Sequence, residues 1–210
     1  MPTKRLGAAA VCSGKSLVVA GGYSTSLLNI VEVMDTETIQ WSTASSLPFA
    51  LKYASGTICQ DIIYLLGDDD SKKPRSVLAC SMADLLQSCR SQSLGERLKK
   101  TLTVRAVWHH VANLPVRSSS CVTLCGWLLA VGGCDDNFKK CTTAIYQYNP
   151  ATNSWEVISH MPTARYDTLV AVLPGNKLMV VGGYVDSGTK TDVLCLLKAT
   201  LSNGQTTLLH

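Results

Sequence analysis

Four cations stand at similar places along the chain: Arg5, Lys52, Arg117 and Arg165 follow Pro2, Pro48, Pro115 and Pro162 by two to four residues. A guanidinium can grip a carboxylate through two parallel hydrogen bonds, and an ammonium adds a compact point charge. The set therefore predicts a surface that receives acidic side chains. Tyr53 and Tyr166 follow two of these cations directly, while Tyr23, Asp135, Asn137, Tyr184 and Asp186 cluster after glycines elsewhere in the chain. Together these eleven positions form the candidate partner-binding set. Other chemistry is poorly served. Gly14-Lys15-Ser16 ends like a phosphate loop, but Ala9 stands where that loop needs its first glycine. His109 and His110 are adjacent, so on a strand they point to opposite faces and cannot share a metal. Cys134 and Cys141 flank a short loop, open to reading as a thiol pair, a metal clip or two unpaired cysteines. With no Gly-x-Ser-x-Gly elbow and no carboxylates to pair for acid/base work, we expect no catalytic residue, no metal and no cofactor.

The elements that position these residues recur. Trp41, Trp108 and Trp155 each precede a proline by seven residues, and Pro2, Pro48, Pro115 and Pro162 precede Gly21, Gly67, Gly132 and Gly182 by nineteen, nineteen, seventeen and twenty. A period in the forties with glycine and tryptophan at fixed phase means one supersecondary unit stacked on its copies. The units run from about 1 to 47, 48 to 114, 115 to 161 and 162 to 210, within a single domain. Each holds short strand-like runs, and Asp35 and Asn149 open the turn between the two outer strands. Unit two is some twenty residues over length. Its excess reads as a surface excursion between Asp68 and Arg105, with one helical turn at Met82 to Leu86. Unit four lacks the outer tryptophan, with Gln205 near its place, so no clear last outer strand is visible. The inner strands, such as Leu17 to Ala20 and Leu128 to Val131, are continuously apolar, so both faces must be covered. Small antiparallel sheets stacked face to face, as propeller blades are, meet that demand.

Composition agrees with a folded protein, and the strand-like runs with an all-β one. The chain has 210 residues, 46% of them hydrophobic, and a net charge of +4. No apolar run reaches the roughly 18 residues that span a bilayer, so no membrane role is expected. Met1 to Arg5 reads in register with Met161 to Arg165, which makes the start a repeat and not a leader. Nine cysteines, most within apolar runs, and the lack of an Asn-x-Ser/Thr site point to reduced thiols and a cytoplasmic location. Arg90, Arg97, Lys99, Lys100 and Arg105 concentrate the surplus charge in one segment. That is a solvated loop, not a nucleic-acid footprint.

The paired glycines, the run from Tyr148 to Trp155 and the Met-Pro-Thr-x-Arg that follows resemble the kelch-repeat family over nearly the whole chain. The resemblance implies a β-propeller of about four blades here, either an open arc of a larger propeller or a four-bladed disc. An open arc would self-associate through its uncovered end sheets. Kelch propellers usually bind protein partners, as substrate receptors of cullin ubiquitin ligases or as actin-associated scaffolds. A few related propellers are enzymes acting on sugars, of mutarotase or oxidase type, and this is the alternative reading.

Overall fold

The computed structural model describes residues 1–69, 75–93, 107–186, 189–190, 194–202 and 205–209. Asp70 and most of the basic segment (Arg97, Lys99, Lys100, Arg105) lie outside them. The protein is mostly β, with four antiparallel four-stranded sheets, each a propeller blade with its strands in sequence order. Blade one contains β1 (Ala9–Ser13), β2 (Ser16–Ala20), β3 (Val31–Asp35) and β4 (Trp41–Thr43), and blade two β5 (Leu51–Cys59), β6 (Ile62–Asp69), β7 (Ser76–Ser81) and β8 (His109–Val111). These form one compact unit, Met1–Val111. Blade three holds β9 (Ser120–Leu124), β10 (Trp127–Val131), β11 (Ala144–Asn149) and β12 (Ser154–His160), and blade four β13 (Leu169–Leu173), β14 (Lys177–Val181), β15 (Leu194–Ser202) and β16 (Gln205–Leu209). They make the second unit, Ala112–His210.

In blades two and three the apolar inner strands are buried as their composition demands. Ile63 to Leu66 of β6 and Leu128 to Val131 of β10 are buried without alternation, whereas β14 of blade four alternates between buried and more exposed positions and Leu169, Val172 and Leu196 of that sheet are exposed, so the expectation of two covered faces fails there. In the first unit Val18, Val31 and Val33 of blade one pack with Ile63, Leu65 and Leu78 of blade two. Each such side chain contributes about 1.5–3 kcal/mol when fully buried. Trp108 Nε1 donates to the Ser45 carbonyl at 3.1 Å, stapling blade two to blade one, and Trp155 Nε1 donates to that of Ala112 at 2.9 Å. Trp41 is half-buried. At the outer turns the Asp35 carboxylate accepts the backbone N–H groups of Glu37 and Thr38, and the Asn149 amide oxygen accepts that of Ala151.

Two expectations are corrected. The excess of unit two is not a surface excursion throughout: Ser76–Ser81 is the blade's third strand, buried over five consecutive residues. The one turn becomes a twelve-residue helix, α1 (Met82–Ser93). The Ser81 hydroxyl caps it by accepting the Asp84 N–H, and Leu85, Leu86 and Cys89 fix one face to the core of the first unit. The Ser88 hydroxyl also accepts the Ser45 N–H at 2.9 Å, tying α1 to the end of blade one. Secondly, blade four does have its outer strand: β16 pairs with β15 from Lys198↔Leu209 to Ser202↔Gln205. Pairing needs backbone donors and acceptors, not the missing tryptophan. Among the described residues no helix is long and apolar enough to cross a membrane.

Candidate functional site

The chain enters each blade with one recurring geometry, in a loop before the inner strand of three blades and in the bulged start of β5 in blade two. Leu6, Lys52, Arg117 and Tyr166 each pair with the residue just after the blade's last glycine: Tyr23, Asp68, Cys134 and Tyr184. The next residue is left-handed in every blade: Gly7, Tyr53, Ser118 and Asp167 have φ of 63°, 49°, 51° and 50°. Glycine is needed opposite. A Cβ on Gly22 would stand 2.8 Å from the Leu6 carbonyl oxygen, and one on Gly133 would stand 2.7 Å from that of Arg117.

This register divides the four cations, which are not equivalent. Lys52 and Arg117 occupy the outward position just defined. Arg5 and Arg165 sit one residue earlier, at the inward position that Leu51 and Val116 fill in the other blades. The Arg5 side chain is 1% exposed; its Nη1 donates to the Gly21 and Ile30 carbonyls at 2.8 and 2.9 Å, and its Nη2 meets Glu32 at 2.8 Å. Glu32 also accepts the Thr3 hydroxyl at 2.7 Å. Arg165 is fully buried and donates to the Gly182 carbonyl at 3.2 Å. Both arginines hold the approach loop to its own blade, beyond the reach of a partner's carboxylate. Asp68 is likewise buried, within β6.

In the second unit the outward position joins an aromatic row. The Arg117 guanidinium lies 4.5 Å above the Phe138 ring, Phe138 lies 5.5 Å from Tyr166, and Tyr166 stacks on Tyr184 at 5.4 Å. Phe138 was missed in the sequence, although it falls between Asn137 and the second cysteine of the loop. The hairpin that carries it is held by Asp135, whose backbone N–H donates to the Lys140 carbonyl and whose carboxylate accepts the Lys139 N–H at 2.8 Å. Asn137 is exposed at its tip. The Asp186 carboxylate accepts the Cys141 N–H at 2.6 Å, and that bond holds its pKa below the usual carboxylate value. Burial, then the Asp186 carboxylate, push the Cys141 thiol up to about 12.

In the first unit the same loops enclose a cavity of about 300 Å³ lined by Leu6, Gly7, Tyr23, Leu27, Lys52 and Tyr53. Tyr53 is 58% exposed and Tyr23 43%. A bulky residue in left-handed backbone is uncommon; here that backbone carries the ring out to the cavity wall. Among the described residues no group of three histidines, cysteines or carboxylates could hold a metal.

The Kelch motif family matches residues 4–48 and 115–162. Kelch-like protein 36 of Rattus norvegicus and that of Mus musculus are each 25% identical over 173 residues, which is 80% of this chain and 25% of theirs. The chain thus spans about a quarter of the length of these relatives. The solved structure of YjhT superposes with a TM-score of 0.72 at 14% identity, covering 100% of this chain and 66% of that one. At that identity the likeness concerns the fold. The chain thus carries two Kelch motifs within four blades of one plan, a β-propeller arrangement.

Proposed function

We propose that the chain is a protein-binding module that receives an acidic peptide or loop on the approach loops of its blades. The observation that carries this reading is the row Arg117, Phe138, Tyr166 and Tyr184. A cation lying over an aromatic face is oriented without losing its charge, and rings give contact area at small conformational cost. Asp135, Asn137 and Asp186 edge this row with acceptors, which sets where a partner's own donors fall. The cavity of the first unit, with Tyr23, Lys52 and Tyr53, can by itself receive an apolar side chain. The setting we favour is cytoplasmic, in keeping with nine cysteines none of which is in a disulfide. Kelch propellers act both as substrate receptors of cullin ligases and as actin-associated scaffolds, and capture of a cullin or of actin by the full-length protein distinguishes the two.

The test is capture of partners by the wild-type chain and by Arg117→Ala and Tyr166→Ala variants shown to be folded. Loss of the captured partners, with capture weakened by added salt, is the expected result. Capture at wild-type level by both variants, or turnover of a sugar by the wild type, overturns the reading.

A further inference from the structure

Cys134 and Cys141 face each other across the hairpin that carries Phe138. The pattern of main-chain bonds fixes how: Thr142 N–H donates to Gly133 O at 2.9 Å and Asp135 N–H to Lys140 O at 2.9 Å. The cysteines lie between these bonds as a non-hydrogen-bonded antiparallel pair, with Cα atoms roughly 4.5 Å apart and side chains on one face. A disulfide needs Cα atoms about 4.4–6.8 Å apart. The corresponding pairs in blades one and four are Tyr23 with Leu27 and Tyr184 with Lys190, so among these described hairpins only this one brings two thiols together. Both are reduced and buried, each pointing its sulfur at a backbone carbonyl, Arg117 O at 3.9 Å and Tyr184 O at 3.8 Å.

We propose that Cys134 and Cys141 are a covalent modification site, oxidised by low-molecular-weight disulfides to a cross-strand disulfide that clamps the hairpin. The loop between them is exposed from Asp136 to Lys140 and held by few ladder bonds, so it opens locally and admits the reagent. One cysteine thiolate attacks a sulfur of the small disulfide, forming a mixed disulfide and expelling one thiolate. The second cysteine loses its proton to water and attacks the protein sulfur of that mixed disulfide, expelling the other. Two protein thiols are oxidised and one small disulfide is reduced to two thiols. The closed ring keeps Phe138 beneath Arg117 and beside Tyr166. Its consequence for binding rests on the proposed partner surface, whereas the bond itself does not.

The experiment treats the folded chain with oxidised glutathione, blocks remaining thiols under denaturing quench and maps cysteines by mass spectrometry. The expected product is a peptide lacking two hydrogens and joining Cys134 to Cys141, absent from the Cys134→Ser variant, in which Cys141 instead retains glutathione. Amide exchange at Asp135 and Thr142 slows at least tenfold in the oxidised chain. Full blocking of both wild-type thiols, stable glutathione adducts on both, or cross-links to other cysteines alone overturn the proposal. The wild-type map decides even where the variant does not fold. A cross-link without any loss of capture in the Arg117 and Tyr166 variants sinks the binding surface and leaves this site standing.

Discussion

Blades one and three share one plan but place their arginines in opposite environments. In the first, Arg5 is enclosed with Glu32 while the outward position of its blade holds Leu6. In the second, Val116 fills the inward position of blade three and Arg117 stands outward over Phe138. The same residue type therefore stabilises a loop in one blade and furnishes a contact surface in another. What separates them is a single step of register. A cation is informative about binding only when the backbone bonds around it are known.

The largest expected effect breaks this contrast directly. Arg5→Ala leaves Glu32 as a buried charge without its partner, which typically costs about 3–5 kcal/mol. Arg117→Ala should cost less than about 1 kcal/mol, as surface substitutions do. Denaturant melts measure both. Equal losses would show that the two arginines are alike after all. Next comes the extra core that α1 adds to the first unit. Leu85→Ala on α1 removes a fully buried side chain and should cost about 2–5 kcal/mol; a loss under about 0.5 kcal/mol would return the helix to the surface.

The left-handed positions sharpen the comparison further. Tyr53→Gly relieves a backbone cost of about 1–2 kcal/mol but adds back about 0.5–1 kcal/mol of glycine entropy. Stability should hold within about 1 kcal/mol while binding at the cavity is lost. A marked destabilisation would mean that the Tyr53 ring packs as core.

The smallest effect concerns the Phe138 hairpin. Bonds from the Lys139 backbone N–H, then that of Lys140, hold the Asp135 carboxyl below its ordinary 3.8. A depressed folded value gives stabilisation that is complete above the unfolded pKa and lost as pH falls through the lowered one. The Lys139 amide resonance should therefore shift only below about pH 3.8, and Asp135→Asn should remove that shift. A shift centred near neutral pH would assign the hairpin's stability to another group.

Much of the fold was legible because the glycines and tryptophans answer to steric demands that recur in every blade. Gly133 admits a neighbouring carbonyl, and Trp155 reaches one. Strand Ser76–Ser81 was not legible, since the excess length of blade two hid which part of the segment was additional. The four cations were misaligned because prolines served as the ruler, whereas the bridges to Tyr23, Asp68, Cys134 and Tyr184 set the true phase. One clue was visible: Pro115 lies seventeen residues before its glycine where Pro2 and Pro48 lie nineteen. Phe138 left no periodic signal, because loops displayed by a rigid scaffold are free to vary.

That shortfall of two residues has a wider meaning. Counted from the proline, the third place is Arg5, Leu51 and Arg165 in three blades, all inward, but in blade three the strand is reached sooner and Arg117, at the second place, already stands outward. Loop length thus works as a selector, deciding whether a charged side chain becomes a rivet or a probe without changing the side chain itself. A lineage can retool such a surface by gaining or losing residues in the loop while every blade keeps its fold.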